Sequence, residues 1–150
     1  MDADLSLRPA TAADVAALRE VYQRASLSNE GDRPLLALHP ELLQWSGDAV
    51  RDGRVVVAVG AGAVVGFGTL SLDGATAEVE DLFVDPEWMR RGIGRALIED
   101  LVATARHAGC PFLQVDANAH ALSFYTSAGF VAMGEVAVEY GTGTRMRRPT

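Results

Sequence analysis

The chain has 150 residues, 49 % hydrophobic and 22 % charged, which suits one soluble domain of ordinary size. Its net charge of −7 argues against nucleic acid as a partner, because neutralising phosphates needs a basic surface. The single cysteine, Cys110, excludes an internal disulfide and a multi-cysteine metal site.

The opening stretch MDADLSLRPA carries Asp2 and Asp4 and lacks the apolar core of a signal peptide. No stretch reaches the ~20 apolar residues of a membrane helix. The expectation is a cytoplasmic protein with no membrane partner. All thirteen basic residues are arginine, which suits bidentate phosphate contacts but also fits a compositional bias towards Ala, Gly and Val.

In chain order, LSLRPA alternates apolar and polar residues and predicts a first strand. TAADVAALREVYQRAS predicts a helix, with Thr11 as N-cap and Asp14 completing a capping box. Val15, Leu18, Val21 and Tyr22 share one face. LSNEGDRP reads as a loop, and a second helix is expected over residues 40–45, with an earlier start left open. Three strands follow, RVVVAVGA, AVVGFGTLSL and ATAEVEDLFV, with turn signals at Gly60-Ala61-Gly62 and Asp73-Gly74. They form an antiparallel meander. Residues 92–107 predict an amphipathic helix with Ile93, Leu97, Leu101 and Ala105 on one stripe and Gly109 as its C-cap. FLQVDA is the next strand, HALSFYTSA a short helix ended by Gly129, and FVAMGEVAVEY and TRMRR two closing strands joined across GTG. Cys110, in AGCPF, reads as a small buried side chain. The order is β-α-α-β-β-β-α-β-α-β-β: an α/β (α+β) fold of about seven strands and about four helices, mixed but mostly antiparallel. A right-handed crossover joins its one parallel pair.

The stretch DLFVDPEWMRRGIGRAL sets a binding site against a plain connector. A helix N-terminus leaves backbone N–H groups without intrahelical partners and adds partial positive charge. Phosphate oxygens satisfy both. Gly92 and Gly94 allow close backbone approach and unusual φ, and Arg90, Arg91 and Arg95 add charge there. Glu78, Glu80, Asp81, Asp85 and Glu87 precede the turn, so an acidic strand meets a basic helix mouth. The P-loop pattern is absent, and Leu97 stands where a dinucleotide fingerprint needs its third glycine. On the turn alone, connector and site weigh about equally.

With VEDLFVDPEWMRRGIGRALIEDL and NAHALSFYTSAGF in this order and spacing, the chain resembles the GCN5-related N-acetyltransferase (GNAT) superfamily over nearly its whole length. The family signature Gln/Arg-x-x-Gly-x-Gly/Ala is filled by Arg90-Arg91-Gly92-Ile93-Gly94, with Met89 departing at its first position. The resemblance implies one acetyltransferase domain over residues 1–150. It implies acetyl-CoA as cosubstrate, its pyrophosphate on the backbone of Met89, Arg91, Gly92, Ile93, Gly94 and Arg95. Arg90 completes the basic turn, and Leu82, Phe83 and Val84 bind the pantetheine arm in a gap between two splayed parallel strands. Leu82, Phe83 and Val84 also read as core strand.

The implied reaction is direct attack of a primary amine on a thioester in a ternary complex. The amine needs a base. Glu78 and Glu80 are the candidates, with a solvated strand face as the alternative. Val84 N–H is the candidate oxyanion donor. Tyr125 matches the family's general acid near the cofactor sulfur, with a packed helix aromatic as the alternative. Phe124 is the better core candidate. Asn118 matches a residue near the cofactor arm and also suits a helix N-cap. SLSNEGDRPLLALHPELLQW is the candidate acceptor lid, where Glu30, His39 and Trp45 have structural alternatives. His107 and His120 read as surface residues, and no metal is expected.

The acceptor is a small amine or a protein or peptide amine. A homodimer is compatible with the resemblance, although no residue specifies one. The competing functions are a non-enzymatic acyl-CoA sensor on the same fold, or a transferase with another acyl donor or acceptor.

Overall fold

The computed structural model describes residues 5–139 and 141–150. Asp2, Asp4 and Tyr140, used above, lie outside them. The elements are β1 (Ser6–Pro9), α1 (Val15–Leu27), α2 (Arg33–Leu38), α3 (Asp48–Arg51), β2 (Val55–Gly60), β3 (Ala63–Asp73) and β4 (Thr76–Val84), then α4 (Ile93–His107), β5 (Phe112–Ala117), α5 (Leu122–Ser127), β6 (Val131–Val138) and β7 (Gly141–Pro149). The strands form one seven-stranded sheet in the order β1-β2-β3-β4-β5-β7-β6. β4 and β5 pair in parallel, while β1–β2, β2–β3, β5–β7 and β6–β7 are antiparallel. This is the mixed, mostly antiparallel α/β architecture expected. Among the described residues no helix is long and apolar enough to cross a membrane.

Three local expectations need correction. The helix expected over residues 40–45 is α2, and Pro40–Leu43 is a 3₁₀ turn. Proline disfavours the α conformation in the residue before it, and His39 breaks the helix at φ −130° and ψ 70°. The short helix α3 was not anticipated; four residues are too few to show a periodicity. GTG is not the hairpin turn, because Val138 pairs with Gly141 and Val136 with Gly143, inside the strands. Glycine is needed at Gly143 for packing: a Cβ there would lie 3.1 Å from both the Ala117 carbonyl and Val138 Cγ1.

Contacts divide the chain into two compact units. One runs through Thr69 and resumes over Asp81–Leu97; the other comprises Leu70–Glu80 and Ile98–Thr150. In the first unit the sheet is apolar on both faces. Val55 and Val57 pack with Leu18, Val21 and Phe67 on one side, and Val56 and Ala58 pack with Ile93 and Leu97 on the other. A register shift between Ala58 and Val59 leaves Val65 as the extra residue of β3, so a bulge bends the strand beside Gly66. A Cβ on Gly66 would lie 3.0 Å from the Phe83 carbonyl and 3.3 Å from Ile93. β4 can therefore run close over β3 only at a glycine. In the second unit the buried apolar residues include Ala77, Leu101, Val102, Leu113, Val115, Phe130 and Met146. Cys110 is buried there as expected, its Sγ 3.8 Å from the Gly74 carbonyl.

The start of α1 shows why its sequence folds locally. Asp14 accepts from the Thr11 backbone N–H at 2.7 Å and from both terminal nitrogens of Arg8 at 2.7 and 2.9 Å. The Arg8 hydrogen bonds, with help from Thr11, hold the Asp14 carboxyl well below the usual carboxylate range. A depressed carboxyl pKa contributes stability at pH values above its unfolded value, and that contribution is lost as the pH falls below about 4. Asp14→Asn should therefore lower the urea midpoint at pH 7 by the equivalent of about 1–2 kcal/mol. In urea titrations between pH 7 and pH 2, the gap between variant and parent should close on the acid side.

Candidate active site

The first unit supplies a glycine-arginine turn after a strand. β4 ends at Val84 and Asp85 is buried. A buried carboxylate must be paired and hydrogen-bonded. Asp85 Oδ2 accepts from Arg24 Nη2 at 2.6 Å, and Oδ1 accepts from the Glu87 backbone N–H at 3.1 Å. Its own N–H donates to the Val65 carbonyl at 2.8 Å. The cap starts the 3₁₀ turn Pro86–Trp88. The backbone then takes left-handed conformations at Arg90 (φ 63°) and Gly92 (φ 82°) before α4 begins. A left-handed arginine costs about 1 kcal/mol and persists only where its surroundings enforce it. A Cβ on Gly92 would meet nothing within 4 Å, so the glycine serves conformation and leaves open space over the backbone. The first intrahelical bond runs from Ala96 N–H to the Gly92 carbonyl at 3.0 Å, which places the N–H groups of Ile93 and Gly94 in the first turn of a 15-residue helix.

Side chains brace this turn. Arg91 stacks on the Trp88 ring, its guanidinium carbon 4.6 Å from the ring centroid. The ring in turn covers Gly60, where an added Cβ would lie 2.8 Å from Trp88 Cζ3. Arg90 and Arg95 are exposed, as is Met89. Leu82 and Val84 pack beside Ile93 and Leu97. The Phe83 ring lies edge-on to Tyr22 at 4.8 Å and tilted to Phe67 at 5.7 Å. The side chains of Leu82, Phe83 and Val84 are thus core, which leaves their backbone as what they can offer a ligand.

In the expected lid region, Trp45 is half-buried, donates to Asp81 Oδ2 at 3.2 Å and lies 5.1 Å from Phe67. Its structural role accounts for its position. His39 Nδ1 is 3.2 Å from Glu41 Oε1, and Glu30 is exposed. Tyr22 donates to the Leu42 carbonyl, tying α1 to the 3₁₀ turn.

The second unit holds Glu78, Glu80, Asn118 and Tyr125. Along β4 a clean alternation covers Ala77–Glu80, with Ala77 and Val79 buried; from Asp81 to Val84 every residue is half-buried. Glu78 is half-buried and Glu80 exposed. Burial, reinforced by Asp116, pushes the Glu78 carboxyl up, while Arg145 opposes the shift. Asn118 is exposed at the N-cap of the 3₁₀ turn Ala119–Ala121, and its side chain makes no capping bond there, so the sequence-level N-cap role is not realised. Tyr125 is buried, with Phe124 at 5.1 Å and Phe130 at 5.2 Å, both edge-to-face. Phe124 is only half-buried, so of this pair the tyrosine, and not Phe124, is the core residue. His107 and His120 are exposed. Among the described residues no group of three or more His, Cys, Asp or Glu side chains is placed to hold a metal ion.

Residues 15–130 match the model of the acetyltransferase (GNAT) family. The chain belongs to the GNAT family. It is 32 % identical over 125 residues to serotonin N-acetyltransferase 2, chloroplastic, of Oryza sativa subsp. japonica, a match covering 82 % of this chain and 59 % of the rice protein. It is 35 % identical over 123 residues to an aminoglycoside N(6')-acetyltransferase type 1 of Stenotrophomonas maltophilia, covering 75 % of each. Among solved structures, the PaiA N-acetyltransferase of Thermoplasma acidophilum, in complex with coenzyme A, shares the fold. Its TM-score is 0.75 at 17 % identity, and the match covers 100 % of both chains. The chain thus spans well under two thirds of the rice relative's length, and about three quarters of the bacterial one.

Within this GNAT chain the turn is braced by its own Trp88, by Gly60 of β2 and by Arg24 of α1, none of which the sequence marked for that role. Only Trp88 had a local signal, an aromatic one residue removed from the arginines. Gly60→Ala forces Trp88 to move and should cost about 1–3 kcal/mol. In a Trp45→Phe background, which leaves Trp88 as the sole tryptophan, the emission maximum should shift to the red as the ring leaves its seat.

Proposed function

We propose that this GNAT chain is a single acetyltransferase domain that uses acetyl-CoA to acetylate a primary amine in a ternary complex. The observation that carries the reading is the turn after β4: a left-handed Arg90 and Gly92, open space above Gly92, and three arginines at the mouth of a 15-residue helix. Oriented N–H groups and guanidinium groups fit a pyrophosphate, because each phosphate oxygen finds a donor and a compensating charge. Met89, Arg90, Arg91, Gly92, Ile93, Gly94 and Arg95 would hold it, with the backbone of Leu82, Phe83 and Val84 along the pantetheine arm and Asn118 near it. Coenzyme A bound to a structural neighbour supports this cosubstrate. When bound, acetyl-CoA supplies an acetyl group activated as a thioester.

The chain's own residues manage protons and charge. Glu78, desolvated yet able to ionise, takes a proton from the acceptor's ammonium so that the neutral amine can attack the thioester carbonyl, with Glu80 as the neighbouring alternative. In the same reading Val84 N–H, at the end of β4, is the oxyanion donor. The Tyr125 hydroxyl donates a proton to the leaving sulfur. The mechanism needs no metal. The relatives' names cite serotonin and aminoglycosides, which favours a small amine as acceptor, with a protein or peptide amine as the other acceptor class of this reading. A cytoplasmic location belongs to the same reading.

Titration calorimetry with acetyl-CoA tests the core claim; no heat of binding would sink it. Gly92→Val should weaken binding tenfold or more (about 1.4 kcal/mol). Tyr125→Phe keeps the ring packing and should cost little stability. It should lower kcat by about ten- to a thousand-fold with acetyl-CoA affinity intact. Unchanged turnover on an amine panel would assign Tyr125 to the core alone.

A further inference from the structure

β5 and β7 continue the polar face on which Glu78 lies. Glu78 pairs with Gln114 across the parallel ladder, and Gln114 pairs with Arg147 across the antiparallel one. Two residues along each strand, Asp116 pairs with Arg145. Cross-strand partners and residues two apart share a sheet face. Two polar rows therefore lie side by side: Glu78, Gln114 and Arg147, then Asp116 and Arg145.

Each row has a defined bonding pattern. Arg147 Nε donates to Gln114 Oε1 at 3.1 Å, and its guanidinium stacks over Phe112 at 4.2 Å. Arg145 grips Asp116 with two bonds, Nε to Oδ1 at 3.0 Å and Nη2 to Oδ2 at 3.3 Å. Both guanidinium groups are thus committed to partners other than Glu78. Among the described residues the β4–β5 register pairs are Ala77 with Leu113 and Glu78 with Gln114, so Glu78 occupies the last rung.

We infer that Asp116 and Arg145 are positioning residues for Glu78: a bidentate carboxylate–guanidinium pair on the adjoining row that sets the electrostatic field at the Glu78 carboxylate. The inference rests on Glu78 serving as the base in turnover. Its logic is one of balance. Asp116 alone would place a second carboxylate on the adjoining row, and a like charge nearby disfavours the ionised form of Glu78. Arg145 alone would hold Glu78 as a weakly basic carboxylate. The pair supplies both, and burial of Glu78 then tips it towards the proton. The charged groups facing Glu78 are Asp116 from β5, Arg145 from β7 and Glu80 from its own strand. Arg147 is turned to Gln114 and Phe112.

The experiment is a carbon-13 NMR titration of the Glu78 carboxyl in the full chain, assigned by its loss in Glu78→Gln. The kcat/KM pH profile with acetyl-CoA and a responsive amine is measured in parallel. Asp116→Asn should move the Glu78 midpoint and the acid limb of the profile to lower pH and reduce plateau kcat/KM about two- to tenfold. Arg145→Gln should move both to higher pH, and Arg145→Lys should restore most of the parental position. A merely structural pair would move neither in opposite directions. Midpoints that stay fixed in both Asp116→Asn and Arg145→Gln overturn the inference. Should Asp116→Asn fail to fold, the Gln and Lys variants of Arg145 carry the test alone. An acid limb that survives in Glu78→Gln, while the NMR midpoints still shift, overturns the base assignment itself and is thereby told apart.

Discussion

The glycine-arginine turn of the first unit depends on one buried carboxylate. Asp85 closes β4, and nothing around it would tolerate an unpaired charge. Its two oxygens are taken by Arg24 of α1 and the N–H of Glu87, while its own N–H binds the bulged strand β3 at Val65. The end of the strand is thereby tied to a helix, to a neighbouring strand and to the turn that follows. Pro86 comes next, where a missing N–H costs nothing at the start of a 3₁₀ turn. The direction in which the chain leaves β4 is set by this anchor.

From that direction the turn must reverse into α4, and the reversal passes through left-handed conformations at Arg90 and Gly92. Glycine makes one of them easy. At Arg90 the strain has to be held by the neighbourhood, and the Trp88 ring wedged against Gly60 with Arg91 stacked on it is the visible brace. Strain held by packing is a common property of sites that must be preformed. Here it fixes the start of the helix that follows Gly92.

The second unit works by contrast. One face of its strands carries Leu113, Val115 and Ala117 into a closed core, while the other carries Gln114 and Asp116 with their arginine partners. A sheet face of this kind is rarely kept polar unless its charges are paired, and here each arginine has a defined acceptor. Glu78 sits at the edge of this network, half-buried and beside a carboxylate, and burial pushes its carboxyl up. Glu80, two residues along the same strand, is exposed.

Sequence alone determined much of this protein. Alternation marked the first strand, the 3.6-residue stripe marked α4, and β5 matches FLQVDA to the residue, its polar Gln114 and Asp116 alternating with apolar residues between Pro111 and Asn118. The glycines and arginines after β4, together with NAHALSFYTSAGF downstream, carried the resemblance to the family. These are local or periodic signals, carried by residues near one another in the chain. What it misplaced was also local but overruled: the second helix stops at His39 because Pro40 restricts it, and GTG lies inside β7, where Gly143 is needed because β5 and β6 crowd it. Tertiary structure alone decided that Tyr125 is buried ahead of Phe124, that Gly60 seats Trp88, that Arg24 satisfies Asp85, and that Asp116 and Arg145 lie beside Glu78. Each joins residues that are distant in sequence or turned by packing. Burial and electrostatic field depend on what surrounds a side chain, and a linear pattern does not contain its surroundings.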